Sequence, residues 1–159
     1  MSMEGVVAAV ESVLSYTFNE KKLLEQALTH PSYTDAPSYE RLKFLGGFVL
    51  QAAISTFLFS TYPGVEAGRL YHLCAVIGSK ENFARVAVRH RLNKYIRHQK
   101  ATVVSDEVWE FINAFEKEEE IVSGRMKPPK VLADVVQSVA TAVYVDCGFN
   151  MQKMWTLSY

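Results

Sequence analysis

The residues with the clearest capacity for chemistry are the basic side chains between Arg85 and Lys100. This stretch reads RVAVRHRLNKYIRHQK, and cationic side chains at such density can contact phosphate groups. On a helix, Arg85 and Arg89 share a face because they are four residues apart. Arg91 and Arg97 cannot join that face without a break in the helix. The candidate contacts to the phosphates of a nucleic acid are Arg85, Arg89, Arg91, Lys94 and Arg97.

An acidic segment follows this basic run. From Asp106 to Glu120 the sequence reads DEVWEFINAFEKEEE, so the two segments could instead be solvated surfaces that partly neutralise each other. The whole chain has 17 basic and 17 acidic residues and no formal net charge. Without a global attraction to nucleic acid or an anionic membrane, any such contact must come from a local patch.

The segment YERLKFLGGFVL, from Tyr39 to Leu50, places a charge and two glycines inside an apolar helical run. Each glycine in a helix interior costs roughly 1 kcal/mol relative to alanine. Lys43 lies one turn before Gly47, which directly follows Gly46. Because a lysine and two glycines are unfavourable inside a buried helix, we expect a structural or functional reason for their presence.

The apolar residues of nearly every segment recur with a helical period, whereas no useful run shows the alternation of a strand. The chain is therefore predicted to be all-α, with residues 1–159 forming one domain. The predicted helices are Val6–Leu14, a helix through KKLLEQALTH capped by Asn19 and stopped by Pro31, Tyr39–Thr61 capped by Ser38, Glu66–Ile77, Lys80–His90 capped by Ser79, Asp106–Phe115 and Lys130–Asp146.

The predicted helix Tyr39–Thr61 carries an apolar stripe too wide for a one-sided surface helix. It is either central to the domain or covered by a partner chain. Its aromatic residues Phe44, Phe48 and Phe57 either lie at a dimer seam or fill the domain's own core.

Composition restricts the class of protein. Of the 159 residues, 49% are hydrophobic, enough for a packed core. Cys74 and Cys147 lack metal-ligand spacing, as expected for buried thiols in a reducing compartment. We expect no apolar run to reach the roughly 20 residues of a membrane span, and no signal peptide is evident. We therefore expect an intracellular protein, nuclear or cytoplasmic, that does not contact membranes.

Three blocks, LLEQALTHPSY, YERLKFLGGFVL and KVLADVVQSVATAVYVDCGF, resemble in order and spacing the most recognisable blocks of the ribonuclease III catalytic domain. The similarity runs from about Val6 to about Trp155. The stretches SYERL and TYPGVEAGRLYHL are most similar to plant RNase three-like proteins, which implies a role in RNA processing or RNA silencing. The resemblance implies an all-helical domain that forms a symmetric dimer through its signature helix.

The resemblance also implies a chemistry. In the active family, four carboxylates per protomer bind divalent metal, normally Mg²⁺, and a metal-activated water attacks a phosphodiester of double-stranded RNA. Because Mg²⁺ demands hard oxygen ligands in a near-octahedral array, other side chains cannot replace these carboxylates.

Three of the four family ligand positions have lost their carboxylate in this chain. The glutamate and aspartate of the signature helix correspond to Lys43 and Gly47, and the later aspartate and glutamate correspond to Asp134 and Gln137. Glu40 matches another signature glutamate that is not counted in the metal site. Asp134 is the one ligand that remains, so no intact catalytic set and no metal cofactor are expected.

The charges at these positions have a direct consequence. Four carboxylates offer about −4, whereas Lys43 (+1), Asp134 (−1), Gly47 and Gln137 sum to zero. A dication beside an uncompensated ammonium is disfavoured by several kcal/mol at an effective dielectric constant of about 20. We predict that Lys43 pairs with Asp134 instead, with Gln137 hydrogen-bonded nearby. Alternatively, Asp134 serves only as a helix-start residue near the positive dipole end.

Three functions remain open from the sequence. The chain is a non-cleaving domain that dimerises and binds or protects double-stranded RNA, a protein-only module that pairs with a ribonuclease III-like or dicer-like partner, or an active endonuclease with an altered metal site. The family often carries a double-stranded-RNA-binding domain after this one, and residues 1–159 contain none. The candidate residues of a homodimer or heterodimer interface are Glu40, Phe44, Leu45 and Phe48.

Overall fold

The computed structural model describes residues 2–99, 106–117 and 127–158. Within these ranges the chain forms eight α-helices and one short 3₁₀-helix, and its only β-type pairing is an isolated bridge between Thr29 and Arg97. The prediction of an all-α fold is confirmed. The helices are α1 (Met3–Leu14), α2 (Lys21–Ala27), α3 (Glu40–Thr61), α4 (Ala67–Ile77), α5 (Lys80–Arg89), the 3₁₀-helix η1 (Leu92–Tyr95), α6 (Asp106–Lys117), α7 (Lys130–Asp146) and α8 (Met151–Ser158).

Helix α7 is the centre of the fold. Ten of its 17 residues are buried, and α2, α3, α5 and α8 all pack against it. Its sequence KVLADVVQSVATAVYVD is rich in alanine and valine, whose short side chains let neighbouring helices approach closely. The buried apolar surface around α7 supplies the main driving force for folding.

Helix α3 crosses α7 at Gly46, and this contact explains the first of the two glycines. A Cβ atom at Gly46 would lie 2.6 Å from the main-chain oxygen of Gln137 and would also overlap Thr141 Oγ1. Position 46 therefore admits no side chain. A Cβ at Gly47 would meet nothing within 4 Å, so packing does not require that second glycine.

Helix α3 is also the one helix in the described part of the chain that is long and apolar enough to cross a membrane by length and composition alone. The expectation that no run reaches this length was therefore wrong. Buried core helices satisfy the same criterion, and one side of α3, including Val49, Leu50 and Ile54, is buried inside the domain.

The start of α2 is held by a residue from the far end of α7. The carboxylate of Asp146 accepts hydrogen bonds from the Tyr16 hydroxyl (2.6 Å) and from the backbone N–H groups of Asn19 (2.9 Å) and Glu20 (2.8 Å). Desolvation raises the pKa of Asp146, but these donors outweigh it and the net pKa is lowered. The predicted Asn19 cap is wrong: Glu20 is the N-cap, and its side chain accepts from Lys22.

The predicted helix boundaries hold within a few residues. Ser79 caps α5 as predicted, with its hydroxyl accepting from the N–H of Asn82. At α3 the N-cap position is Tyr39, although the Ser38 hydroxyl accepts from the Glu40 N–H at 3.4 Å.

The largest boundary error lies at the end of α2. The helix stops at Ala27, short of Pro31, because the next residues pair with a distant segment: Arg97 N–H donates to the Leu28 oxygen and His30 N–H donates to the Arg97 oxygen. Helix α8, which packs on α7, was not predicted.

Substitution of Gly46 by alanine should destabilise the domain. The added methyl group must displace α3 from α7, and overpacking of this kind costs about 1–3 kcal/mol. Gly47→Ala is the matched control, because alanine there enters open space and gains helix propensity, so stability should rise by up to about 1 kcal/mol. Urea unfolding followed by circular dichroism measures both changes. Equal effects of the two substitutions would contradict the close approach at Gly46.

Candidate functional site

An ion pair joins α3 to α7 at the predicted position. Lys43 Nζ lies 3.4 Å from Asp134 Oδ1, so the predicted pairing of these two side chains is confirmed. The Asp134 side chain is 5% exposed and that of Lys43 is 30% exposed, so Asp134 is the more buried member of the pair. The alternative that Asp134 acts only on the dipole of its own helix does not explain this contact.

The second oxygen of Asp134 is also satisfied. The Tyr39 hydroxyl donates to Asp134 Oδ2 at 3.2 Å. Burial raises the pKa of Tyr39 first, and the charge and hydrogen bond of Asp134 together with the charge of Glu40 raise it further, so the phenol stays protonated as a donor. Tyr39 itself is positioned by its backbone N–H, which donates to the Thr29 oxygen at 2.9 Å.

Sequence reasoning placed Tyr39 at a helix start but missed its role at the site. Its position one turn before Lys43, next to a candidate buried aspartate, was the signal available. The predicted hydrogen bond of Gln137 at the site is wrong. Gln137 makes no side-chain hydrogen bond to the described residues, and the contacts of Asp134 are with Lys43 and Tyr39.

The donor set does not fit a magnesium ion. Asp134 is the sole carboxylate at the four positions, and it already holds an ammonium. Across the described ranges, no three His, Cys, Asp or Glu side chains are grouped so that they could hold a metal ion. Mg²⁺ binding needs several hard oxygen ligands, which these residues do not provide.

The candidate RNA contacts do not form one uniform surface. Arg89, Arg91 and Lys94 are exposed, and Arg91 has a left-handed backbone (φ 56°) that provides the expected break between α5 and η1. Arg85 is half-buried, and its Nε is buried without a hydrogen-bond partner in the described residues.

Arg97 serves the fold. Its Nε and Nη2 donate to Thr29 Oγ1 at 3.2 and 3.0 Å, and its guanidinium lies 4.5 Å from the ring centroid of Tyr33. These contacts attach the segment after η1 to the loop between α2 and α3. Arg97 is therefore a weaker candidate for phosphate contact than the sequence indicated.

The basic residues do not pair with the acidic helix α6 in the part of the chain that the structure describes. The ion pairs within that part are Lys21–Glu11 and Lys43–Asp134. The ends of the two charged segments, Lys100 and residues 118–120, lie outside the described residues. The basic side chains Arg89, Arg91 and Lys94 thus remain available to solvent.

The side of α3 that faces away from α7 is aromatic and exposed. Phe44, Phe48 and Phe59 are 70%, 68% and 75% exposed, and the rings of Phe44 and Phe48 meet edge to face with centroids 5.6 Å apart. We call these three residues the aromatic face. The alternative that Phe44 and Phe48 fill the domain's own core is wrong.

The other aromatic and interface candidates divide between the core and the surface. Phe57 packs on Trp155 of α8 with ring centroids 5.4 Å apart. Leu45 is half-buried against the core, whereas Glu40 is exposed. Helix α4 packs on α3, has no buried residue and exposes Tyr71.

Comparison with known proteins identifies the family. A family model described as Ribonuclease-III-like matches residues 20–159. The chain belongs to this family. Plant relatives support the assignment: the chain is 44% identical to Ribonuclease 3-like protein 2 of Arabidopsis thaliana, over 94% of this chain and 39% of that protein. It is 43% identical to Ribonuclease 3-like protein 3 of Oryza sativa subsp. japonica, over 95% of this chain and 52% of that protein.

More distant relatives extend the relationship of this ribonuclease-III-like chain. It is 38% identical to Endoribonuclease Dicer homolog 1 of Arabidopsis thaliana, over 92% of this chain and 8% of that protein. The chain thus spans about half or less of the curated relatives it matches. The nuclease domain of ribonuclease III from Campylobacter jejuni superimposes with a TM-score of 0.72 at 29% identity, covering 94% of this chain and 91% of that domain. The resemblance and the fold expected from the sequence are confirmed.

Removal of one member of the ion pair should destabilise this ribonuclease-III-like domain. Lys43→Met leaves the Asp134 carboxylate with the Tyr39 hydroxyl alone, and an uncompensated charge at a partly exposed pair should cost about 2 kcal/mol. The double variant Lys43→Met/Asp134→Asn should recover much of that loss, because no charge is stranded. Denaturant unfolding of the four-member cycle measures the coupling. The exposed Lys94→Met is the control, and additive effects of the two substitutions would contradict the pair.

Proposed function

We propose that this chain is a non-cleaving ribonuclease III-like domain that forms a dimer and binds double-stranded RNA. The observation that carries the proposal is the Lys43–Asp134 ion pair, 3.4 Å apart, at the positions where the active family has metal-binding carboxylates. An ammonium neither binds a metal ion nor accepts a proton from water. The four family positions therefore lack the groups that phosphodiester hydrolysis requires.

Three exposed cations, one on α5, one on η1 and one at the break between them, support the RNA-binding part of the proposal. Arg89, Arg91 and Lys94 are free of partners in the described residues, and the neutral chain as a whole gives no long-range attraction. Binding through such a local patch must weaken as salt rises, because each neutralised phosphate releases counterions. The similarity to Ribonuclease 3-like and Dicer proteins points to double-stranded RNA as the ligand.

The aromatic face supports the dimer. Phenylalanine side chains that are more than two-thirds exposed mark surfaces that bind other proteins. Between and beside the bulky Phe44 and Phe48, α3 carries the small residues Gly47 and Ala52. Two copies of α3 related by a two-fold axis can therefore place the rings of one helix over the small residues of the other. The related Campylobacter jejuni nuclease domain has a region involved in dimer formation.

The deciding experiment combines cleavage and binding. The purified chain is incubated with long double-stranded RNA and Mg²⁺ or Mn²⁺, and binding is measured at about 50 and about 200 mM salt. We expect no cleavage and affinity that falls steeply with salt. Cleavage that disappears in Asp134→Ala would show a rebuilt metal site and overturn the proposal. Absence of both cleavage and binding would favour the protein-only alternative, a pairing with a ribonuclease III-like or dicer-like partner.

Substitution of Phe48 by glutamate should convert a dimer to a monomer. The carboxylate would be buried without a partner at the centre of the aromatic face, which a dimer of this type does not tolerate. Light scattering coupled to size exclusion measures the mass. Trp109→Glu is the matched control, because Trp109 is also an exposed aromatic residue on a helix, α6, but lies outside the aromatic face. An unsubstituted chain that is monomeric at all concentrations would contradict homodimer formation.

A further inference from the structure

An apolar cavity lies between α5 and α7 and includes neither Lys43 nor Asp134 in its wall. Each of the two helices presents one face to the cavity, because its lining residues recur every three or four positions. They include Phe83 and Val86 on α5, the C-cap residue His90, and Val139, Ala140 and Val143 on α7.

The cavity is closed on its inner side and meets solvent on the other. Phe83, Val139 and Val143 are buried, so they form its floor. Val13, near the end of α1, also lines the cavity and is exposed, and so is His90. The open side therefore lies beside these two residues, and a ligand can enter there without the unfolding of a helix.

The wall selects for apolar groups. Among the described residues that line the cavity, His90 provides the one polar side chain. A buried water makes about three hydrogen bonds, which such a wall does not offer. The cavity has a volume of about 60 Å³. Because apolar cavities of about 150 Å³ bind benzene, this smaller one suits an aliphatic group of about three carbon atoms.

We infer that this cavity binds the aliphatic end of a small neutral molecule, with His90 hydrogen-bonded to a hydroxyl or carbonyl group at its polar end. No charged side chain lines the cavity, so an ionic group inside it would lack a partner. The imidazole can donate one hydrogen bond and accept another, so either polar group fits it. The aliphatic end gains dispersion contacts with the floor, and binding therefore stabilises the folded chain.

Two alcohols serve as matched probes of the cavity. 1-Propanol and methanol carry the same hydroxyl group, but only propanol has an aliphatic end that fills the available volume. Each alcohol is titrated into the chain with isotope-labelled valine methyl groups, and NMR spectra are recorded. Propanol should shift the methyl resonances of Val139 and Val143 until they saturate. Methanol at the same concentrations should not, because it buries too little apolar surface.

Substitutions that fill the cavity should block the ligand. Ala140→Leu adds carbon atoms from the α7 wall and should weaken propanol binding about tenfold or more. Val139→Ile adds a single methyl group at the same wall, so it serves as a milder second variant and should weaken binding less. Ala8→Leu is the matched control, because Ala8 is an exposed residue of α1 that does not line the cavity. Circular dichroism confirms that each variant is folded.

Xenon separates the two ends of the ligand, because it fills apolar space and forms no hydrogen bond. His90→Phe keeps a ring and removes the hydrogen bond, so propanol affinity should fall while xenon binds this variant and the parent chain equally. Equal propanol affinity of the parent and His90→Phe would overturn the contact with His90. Propanol shifts that do not saturate, or that are unchanged in both filled variants, would overturn the site. Neither result bears on the proposed RNA binding.

Discussion

A buried carboxylate on the central helix is the constraint on which the site depends. Asp134 is buried on α7, a helix in which ten of 17 residues are buried, and a charge in such a place needs a partner of opposite sign. Lys43 supplies that partner from α3, and Tyr39 completes the hydrogen bonding. The start of α3 is thereby tied to α7. The ammonium neutralises the buried carboxylate within the fold.

Helix α3 contributes to two surfaces, the contact with α7 and the aromatic face. Its sequence reflects the requirements of both. Toward α7 it needs a glycine, because Gly46 leaves no room for a side chain. Away from α7 it presents the aromatic face, with Phe44 and Phe48 in mutual contact. These opposite demands explain the apolar stripe that is too wide for a surface helix. The two adjacent glycines also differ: Gly46 is required by packing, whereas packing leaves Gly47 unconstrained.

The sequence predicted the long helices well, because α3 and α7 carry strong periodic patterns and clear boundaries. It predicted the Lys43–Asp134 contact only through the resemblance, which placed two distant segments side by side. The features that it missed depend on contacts across the chain. Asp146 holds the start of α2 through residues that lie 126 to 130 positions away. Arg97 pairs with Thr29, 68 positions away, just after the end of α2. No local sequence pattern indicates partners at such a distance along the chain.

Helix α4 packs mainly on α3 and has no buried residue, which gives it a lower local stability than the central helix α7. It has no buried residue and packs on α3 alone among the stronger helix contacts. Local opening of α4 therefore exposes less apolar surface than global unfolding does, and it costs less free energy. Its amides belong to the fast end of the hydrogen-exchange spectrum, while those of α7 belong to the slow end. A partner bound across α3 and α4 would slow hydrogen exchange of the α4 backbone amides first. The protection of these amides would therefore report association.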